Sequence, residues 1–255
     1  PITIPHAAMQ CPEEDVAPFR KKFPQFEDKI GKYGHGTKVR NPVAAFAGMM
    51  TRMDRGVGQV LDLLDELKIA DNTLVLFTSD NGPHSEGGHQ PGFFNSNGPL
   101  KGHKRDLYEG GIRVPLIAYW PGRVKSGSVS DHICAHWDLM PTFCEVANIS
   151  TPKHTDGISY VPTLSGGKQK KHDYLYWEFH SYGNAQAIRM GDWKAIRLKV
   201  KNNPDAPIQL YNLKQDIGET KNIAALHPNV VKRIAPLFKE AHVPSERFPL
   251  FAKKR

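Results

Sequence analysis

The chain has 255 residues, of which 24% are charged and 39% are hydrophobic. This balance excludes a disordered chain and predicts one large globular domain or two small ones. The formal net charge is +8, but the cations are scattered rather than gathered on one helix among aromatic residues, which favours a small anionic ligand over nucleic acid. No apolar run approaches the roughly 20 residues that a helix needs to cross a bilayer.

The first clear element is a helix that follows an irregular segment. Proline punctuates residues 1–42, and we expect this segment to be irregular because proline interrupts both helices and strand ladders. Residues 43–68 show apolar side chains at helical spacing. Asn41 is a candidate N-cap, and Pro42 suits the first helical position.

Strands follow this helix. Residues 73–78 are short and uniformly apolar, as in a parallel strand covered on both faces, and residues 114–120 repeat the pattern. Residues 130–136 are a third candidate strand, and a helix begins near residue 138. The long loop at 79–113 contains eight glycines, and a loop of such length is usually functional or disordered. The order of elements predicts an α/β fold with a mostly parallel sheet flanked by helices.

The sequence pattern changes in the last third of the chain. Residues 174–179, 185–190 and 193–200 read as antiparallel strands joined by turns, and residues 228–242 read as a terminal amphipathic helix. We therefore expect two domains. The first, residues 1–170, would be the α/β part, and the second, residues 171–255, would be a small antiparallel sheet with a packed helix.

The strongest local signal for chemistry is Ser-Asp-Asn-Gly at residues 79–82, directly after a predicted strand. Ligands of open α/β sheets bind beyond the carboxyl ends of strands. Asp80 and Asn81 offer hard oxygen donors there, suited to Ca²⁺ or Mg²⁺. The same tetrapeptide is also good turn chemistry, and from these four residues alone the two interpretations weigh about equally. Calcium takes roughly 6–8 ligands, so others would have to come from elsewhere.

Two further segments are weaker signals on their own. Residues 100–115 place several cations, a histidine and a Gly-Gly pair before a strand, and a lysine there could neutralise an oxyanion. His6 lies in a proline-rich segment and is a candidate proton donor to a leaving group. The alternatives are a solvated charge run and a structural histidine.

Taken together, the chain resembles the sulfatase family of the alkaline phosphatase superfamily, because the family's motifs occur in order over nearly its whole length. They lie at residues 5–7, 54–58, 71–73, 79–82, 98–100, 104, 108–115, 120–122, 138–142, 156–159, 190–194 and 210–213. The most specific are Ser-Asp-Asn-Gly at 79–82 and Tyr-Glu-Gly-Gly-Ile-Arg-Val-Pro at 108–115.

The resemblance implies roles for particular residues. Asp80 and Asn81 match two of the four protein ligands of the active-site Ca²⁺, with Mg²⁺ as the alternative ion. Lys104 matches the lysine that contacts the sulfate and the leaving oxygen, and His6 matches the histidine near the leaving group. In this family a formylglycine hydrate attacks sulfur, and the alcohol departs with a proton from a histidine.

The chain also departs from the family pattern. Formylglycine is made from a Cys or Ser in a Cys/Ser-x-Pro-x-Arg motif, and no such motif occurs among the 255 residues. The paired aspartates that complete the calcium site are missing as well. We therefore expect this chain to be the C-terminal part of a longer sulfatase, to contain no nucleophile and to be inactive alone.

Residues near these motifs are candidates for substrate binding. His84 and His89 follow Asn81, while Lys101 and His103 precede Lys104. Surface or structural residues are the competing interpretation.

The resemblance predicts a carbohydrate or aryl sulfate ester as substrate, and a periplasmic or secreted location. Two alternatives remain open: a phosphodiesterase or phosphonate monoester hydrolase of the same superfamily, and a non-catalytic binding domain for sulfated glycans or other polyanions. The first would bind two metals through extra Asp and His ligands. The second would bind polyanions by itself, with an affinity that falls steeply with salt.

Overall fold

The computed structural model describes residues 2–252, which form two compact units. The first unit comprises the chain up to residue 73 together with residues 80–98, and the second comprises residues 74–79 and everything from residue 99 onward. The boundary expected at residues 170 and 171 falls inside the second unit, so it stays a prediction about subdomains. Within residues 2–252, no helix is both long and apolar enough to cross a membrane.

The first unit is mainly helical. Its elements are α1 (Glu13–Lys22), β1 (Ile30–Gly31), β2 (Val39–Arg40), α2 (Pro42–Glu66) and α3 (Pro91–Phe94), with β1 and β2 antiparallel. Helix α2 confirms the helix predicted over residues 43–68. Its start is fixed by Asn41, whose side-chain oxygen accepts a hydrogen bond from the Ala44 amide at 3.0 Å, and by Pro42 in the first turn.

Helix α1 shows that the expectation of an irregular segment over residues 1–42 was wrong in part. The helix contains Pro18, yet it forms because acidic residues occupy its first turn and basic residues its last, as the helix dipole favours. Val16 is 2% exposed and packs with residues of α2, while Asp15 pairs with Arg52 and Arg55 at 2.7 and 2.9 Å. Tertiary packing therefore outweighs the proline.

The second unit begins with strands β3 (Val75–Thr78) and β4 (Leu116–Tyr119), which pair in antiparallel register. Both strands were predicted, but a mostly parallel sheet was not found: every strand pair described in residues 2–252 is antiparallel. Uniform apolarity suggested strands covered on both faces, whereas β3 is half-buried and Leu116 and Ile117 are 41% and 59% exposed. Composition did not determine strand direction, because the long connection between β3 and β4 permits either one.

The strand expected at residues 130–136 was also wrong. Instead of joining a ladder, the backbone amide of Ala135 donates to the buried carboxylate of Asp138 at 2.8 Å. The segment leads into α5 (Leu139–Val146), which confirms the helix predicted near residue 138 and is followed by α6 (Val161–Ser165). A side chain thus satisfies backbone groups that the sequence pattern had assigned to a sheet.

The C-terminal antiparallel sheet confirms the three strands that were predicted and adds a fourth, at residues 209–212, that was not. Its strands are β5 (Leu175–Phe179), β6 (Ala185–Met190), β7 (Trp193–Leu198) and β8 (Gln209–Asn212), in spatial order β5-β6-β7-β8. The tight turn between β6 and β7 contains Gly191 with φ +58°, a conformation that glycine adopts without strain.

Both faces of this sheet are covered. Alternating residues of β6 and β7 point to opposite faces, so Ile188 packs with Ile234 and Phe238, while Ala187 packs with Leu107. The helices are α4 (Glu109–Ile112), α7 (Pro228–Ile234) and α8 (Leu237–Glu240). The single helix predicted at residues 228–242 is divided into α7 and α8 at Pro236, which has no amide hydrogen to continue the ladder.

Candidate functional site

The candidate metal ligands follow β3 directly. The strand ends at Thr78, whose hydroxyl donates to the Pro115 carbonyl at 2.8 Å. Asp80 is exposed and Asn81 is half-buried, with its side-chain amide nitrogen donating to the Gly82 carbonyl at 3.0 Å. That contact uses the donor of the amide, and the carbonyl oxygen is the atom that a hard cation would take.

These two residues account for only part of a metal site. Across residues 2–252, no group of three His, Cys, Asp or Glu side chains is placed to hold a metal ion. The metal-binding role of Asp80 and Asn81, and the source of the other oxygen ligands that a hard cation needs, stay predictions.

Three predicted site histidines lie together in the first unit. The ring centroids of His6 and His84 are 6.0 Å apart, and those of His84 and His89 are 5.2 Å apart. Nε2 of His6 lies 3.9 Å from a carboxylate oxygen of Glu86, and the His6 side chain is 41% exposed. The ring of His89 stacks on Phe46 at 3.7 Å. His6 is therefore the most accessible member of the cluster.

The tautomer of His84 follows from its hydrogen bonds. Its Nδ1 accepts from the Glu86 amide at 3.1 Å, so Nε2 carries the proton and donates to the Pro5 carbonyl at 3.0 Å. His84 and His89 are 7% and 3% exposed. The predicted substrate contact of both residues stays a prediction, since their contacts in this unit are with the protein.

Lys104 occupies a tight turn in the second unit. The amide of Asp106 donates to the His103 carbonyl at 2.9 Å, and the His103 amide donates to the Asp106 carboxylate at 2.9 Å. Lys104 and Arg105 are the central residues of this turn, and Arg105 has φ +82°. The turn thus fixes the backbone on both sides of the lysine that is predicted to contact sulfate.

The Gly-Gly pair beside this turn is required by close packing. A Cβ atom on Gly110 would lie 2.3 Å from the Gly102 carbonyl oxygen, and one on Gly111 would lie 2.1 Å from the Asp106 carbonyl oxygen. Both distances are far shorter than van der Waals contact, so only glycine allows α4 to approach the turn.

Lys101 contacts protein groups. Its ammonium donates to the Glu219 carbonyl at 3.1 Å and lies 4.1 Å from the centre of the Tyr108 ring. These contacts give Lys101 an anchoring role in this unit, and its predicted substrate contact remains untested. The described contacts of His103 are those of its backbone.

Sequence reasoning missed a buried ionic network around Glu109. This carboxylate, 3% exposed, accepts from the fully buried Lys194 at 2.7 Å and from Arg189 at 2.9 Å. Its backbone amide donates to the carboxylate of Glu219 at 2.7 Å. Residues 109 and 194 both lie in the family motifs, which was the available signal, but their pairing could not be read from the sequence.

The two glutamates respond in opposite ways to burial. Burial alone would raise the pKa of Glu109, but the charges of Lys194, Arg189 and Arg113 outweigh it and lower the pKa below the ordinary value. Burial raises the pKa of Glu219 to about 7, because the nearby charge of Lys194 offsets only part of the desolvation. Oε1 of Glu219 is buried without a hydrogen-bond partner among the described residues.

Asp138 is the centre of a second buried network that sequence reasoning missed. It accepts hydrogen bonds from the amides of Ala135 and Ile158 and from Nε2 of His172, each at 2.8 Å. The motifs at residues 138–142 and 156–159 are thereby joined by a hydrogen bond.

The structure therefore groups the predicted residues within each unit. His6, Asp80, Asn81, His84 and His89 belong to the first, and Lys101, His103 and Lys104 belong to the second.

Comparisons with known proteins match this chain over most of its length. A family model described as Sulfatase matches residues 4–149, and one described as N-sulphoglucosamine sulphohydrolase, C-terminal, matches residues 102–241. Steryl-sulfatase from Homo sapiens is 37% identical over 187 residues, covering 70% of this chain and 31% of that protein. N-acetylgalactosamine-6-O-sulfatase from Bacteroides thetaiotaomicron is 29% identical over 242 residues, covering 88% of this chain and 45% of that protein.

A solved structure gives the same result for the fold. The crystal structure of Ps i-CgsB in complex with k-i-k-neocarrahexaose matches with a TM-score of 0.75 and 30% identity, covering 93% of this chain and 48% of that one. The chain thus shares the fold of this structure. It spans less than half the length of this protein and of each of the two sulfatase relatives.

Proposed function

This chain belongs to the sulfatase family, and from that premise we propose that the whole protein hydrolyses sulfate esters of a carbohydrate. One observation carries the proposal. Exposed Asp80 lies directly after β3, and Lys104 lies in a hydrogen-bonded turn. Both positions fall inside the residues that the sulfatase family model matches.

The relatives support a carbohydrate substrate. One is named N-acetylgalactosamine-6-O-sulfatase, and the solved structure is a complex with k-i-k-neocarrahexaose. The steryl-sulfatase relative makes an aryl or steryl sulfate the competing substrate within the same reaction. The scattered positive charge of the chain suits either anionic ester.

Asp80 and Asn81 are proposed as two ligands of a calcium ion, with magnesium as the alternative. Their oxygen donors fit a hard cation, and the Asp80 carboxylate is exposed. A bound divalent cation would stabilise negative charge on the sulfate oxygens as a Lewis acid. The remaining ligands, and a formylglycine nucleophile, are proposed to come from residues outside this chain.

The chain's own residues would then bind the sulfate and donate the proton to the leaving group. The ammonium of Lys104 would neutralise the sulfate oxygens and the developing charge on the leaving oxygen. His6, the accessible member of its cluster, would donate a proton to that oxygen as the S–O bond breaks and the oxygen of the nucleophile bonds to sulfur. Overall, the ester and one water would yield an alcohol and sulfate. The 255-residue chain alone is proposed to be inactive.

The test uses the full-length protein with three substrates: a sulfated amino sugar, an aryl sulfate and an aryl phosphodiester. The proposal predicts sulfate release that is fastest from the sugar and is lost on removal of divalent cations. Faster cleavage of the phosphodiester would favour the phosphodiesterase alternative. Salt-sensitive binding of sulfated glycan by the 255-residue chain, without turnover by the full-length protein, would favour a binding domain.

Location is part of the same proposal. A relative from Bacteroides and the family as a whole suggest a periplasmic or secreted enzyme. Fractionation of the producing cells would check it, and activity confined to the cytoplasmic fraction would contradict it.

A further inference from the structure

The loop that carries Lys104 is fastened at both ends. We refer to residues 101–108 as the lysine loop. At its start, the Lys101 carbonyl accepts from the Gly110 amide at 2.7 Å. At its end, Leu107 is 5% exposed in the core of the C-terminal sheet, and the Tyr108 hydroxyl donates to Gln209 at 2.7 Å. Lys104 lies in the turn between these two anchors.

Glu109 determines the position of the segment that closes the loop. It begins α4, the short helix whose Gly110 amide binds the start of the lysine loop. The carboxylate of Glu109 is bound by Lys194 of β7 and Arg189 of β6, so α4 is tied to two central strands of the sheet. The pair of Glu109 with Lys194 is almost completely buried, so this attachment is intolerant of an unpaired charge.

Glu219 contacts the same loop from a different part of the chain. Its carboxylate accepts from the Glu109 amide at 2.7 Å, and its carbonyl accepts from the Lys101 ammonium at 3.1 Å. Glu219 therefore contacts the first residue of the lysine loop and the residue that directly follows its end. Glu219 is completely buried, so water cannot replace the contact of its carboxylate with the Glu109 amide without local opening.

We propose that Glu109 and Glu219 are positioning residues that fix the lysine loop and thereby set the reach of the Lys104 ammonium toward a sulfate group, an inference that rests on the proposed function. Neither residue is proposed to touch substrate. Displacement of a catalytic cation by about 1 Å can cost roughly 100-fold in rate, so an indirect role would still have a large effect.

The groups that face Glu219 make this positioning sensitive to pH. They are Lys101 from the lysine loop, Glu109 from α4, Lys194 from β7 and Tyr211 from β8. The pKa of Glu219, about 7, lies within the working range of most enzymes. As pH rises through this value, a second buried carboxylate charge forms beside Glu109. We expect the contacts of Glu109 and Glu219 that hold the lysine loop to weaken.

The experiment compares the full-length wild-type protein with E109Q and E219Q. One readout is kcat/KM as a function of pH, and the other is deuterium uptake of the peptide that covers residues 100–112. E109Q is expected to lower kcat/KM roughly 10- to 100-fold, mainly through kcat, and to raise uptake in this peptide. E219Q is expected to remove the fall in activity and the rise in uptake that wild type shows as pH increases through about 7.

The matched control is D138N, since Asp138 is a buried, hydrogen-bonded carboxylate of the same unit with no described contact to the lysine loop. It is expected to leave both the pH profile and the uptake of residues 100–112 as in wild type. If D138N changes them as much as E109Q does, or if E219Q keeps the wild-type pH profile and uptake, the positioning role is overturned. K104A separates the two proposals. Full activity of K104A would reject the role of Lys104 in the proposed function. Deuterium uptake would still show whether Glu109 and Glu219 hold the lysine loop in place.

Discussion

Two motif regions of this chain contain carboxylates that differ in exposure and in pairing. Asp80 follows a strand and is exposed, whereas Glu109 is 3% exposed and paired with a fully buried lysine. Both lie in segments that mark the same family, so membership of a motif does not by itself indicate chemistry. Exposure and pairing separate them: a carboxylate that is available to a cation differs from one whose charge is already used by the fold.

The largest expected effect is the loss of activity when Asp80 or Lys104 is changed. In the full-length protein, D80A or K104A should lower kcat/KM by about 10²–10³, because each removes electrostatic stabilisation of charge on the transferred group. The free energy of unfolding should change by less than about 0.5 kcal/mol for D80A, since Asp80 is exposed. Steady-state kinetics and urea unfolding on the same samples would check this.

Matched controls for these two variants are D62A and K125A, which alter exposed residues outside the motifs. Both should retain wild-type kinetics. Equal losses of activity in the controls would show that the effect reports on surface charge in general and not on Asp80 or Lys104.

The next effect is on stability at the buried region. E109A should lower the free energy of unfolding by about 3–5 kcal/mol, because it leaves Lys194 as a buried, unpaired charge and removes the partner of Arg189. Chemical denaturation measures the change. The double variant E109A/K194M should recover part of the loss, and a double variant no more stable than E109A would contradict the ion-pair explanation.

A somewhat smaller effect is expected at the second buried network. D138A should cost about 2–4 kcal/mol, because it leaves the amides of Ala135 and Ile158 without their acceptor. D138N should cost less, since an amide oxygen still accepts. Thermal or chemical unfolding that ranks D138N below D138A in stability would contradict this assignment of the hydrogen bonds.

The smallest expected effect is the pH dependence of the free energy of unfolding. The folded pKa of Glu219 is raised from 4.5 to about 7, so the folded protein binds this proton more tightly than the unfolded chain does. The stabilisation that Glu219 contributes is complete below about pH 4.5 and is lost as pH rises to about 7. Above about pH 7, Glu219 no longer makes the free energy of unfolding depend on pH. With screening by the neighbouring lysines, we expect a loss of about 1–2 kcal/mol across this window. E219Q should flatten that part of the stability profile, and an unchanged slope would show that another group titrates.

Local patterns predicted much of the fold. Helix α2 has a strong period and a cap at Asn41, and strands β5, β6 and β7 have short turns between them, so neighbouring residues determine these elements. Helix α1 was missed because Pro18 outweighed the charge pattern in sequence reasoning. The antiparallel pairing of β3 with β4 was missed because strand direction depends on a long connection and not on composition.

The candidate site divides in the same way. Asp80, Asn81 and Lys104 could be selected from short motifs once the family resemblance was recognised. The ion pair of Glu109 with Lys194 joins residues 85 positions apart, and no local pattern specifies it. The anchoring of Lys101 by Glu219 spans 118 positions and was likewise unavailable to sequence reasoning.

The central claim is that Asp80 and Lys104 act directly in sulfate ester hydrolysis, whereas the buried carboxylates act only through the fold. Sulfate release from a sulfated amino sugar by full-length wild type, D80A and K104A, measured at equal folded fraction with divalent cation present, tests it most directly. We expect rapid release by wild type and rate losses of about 10²–10³-fold in both variants. Release by D80A and K104A at the wild-type rate would contradict it.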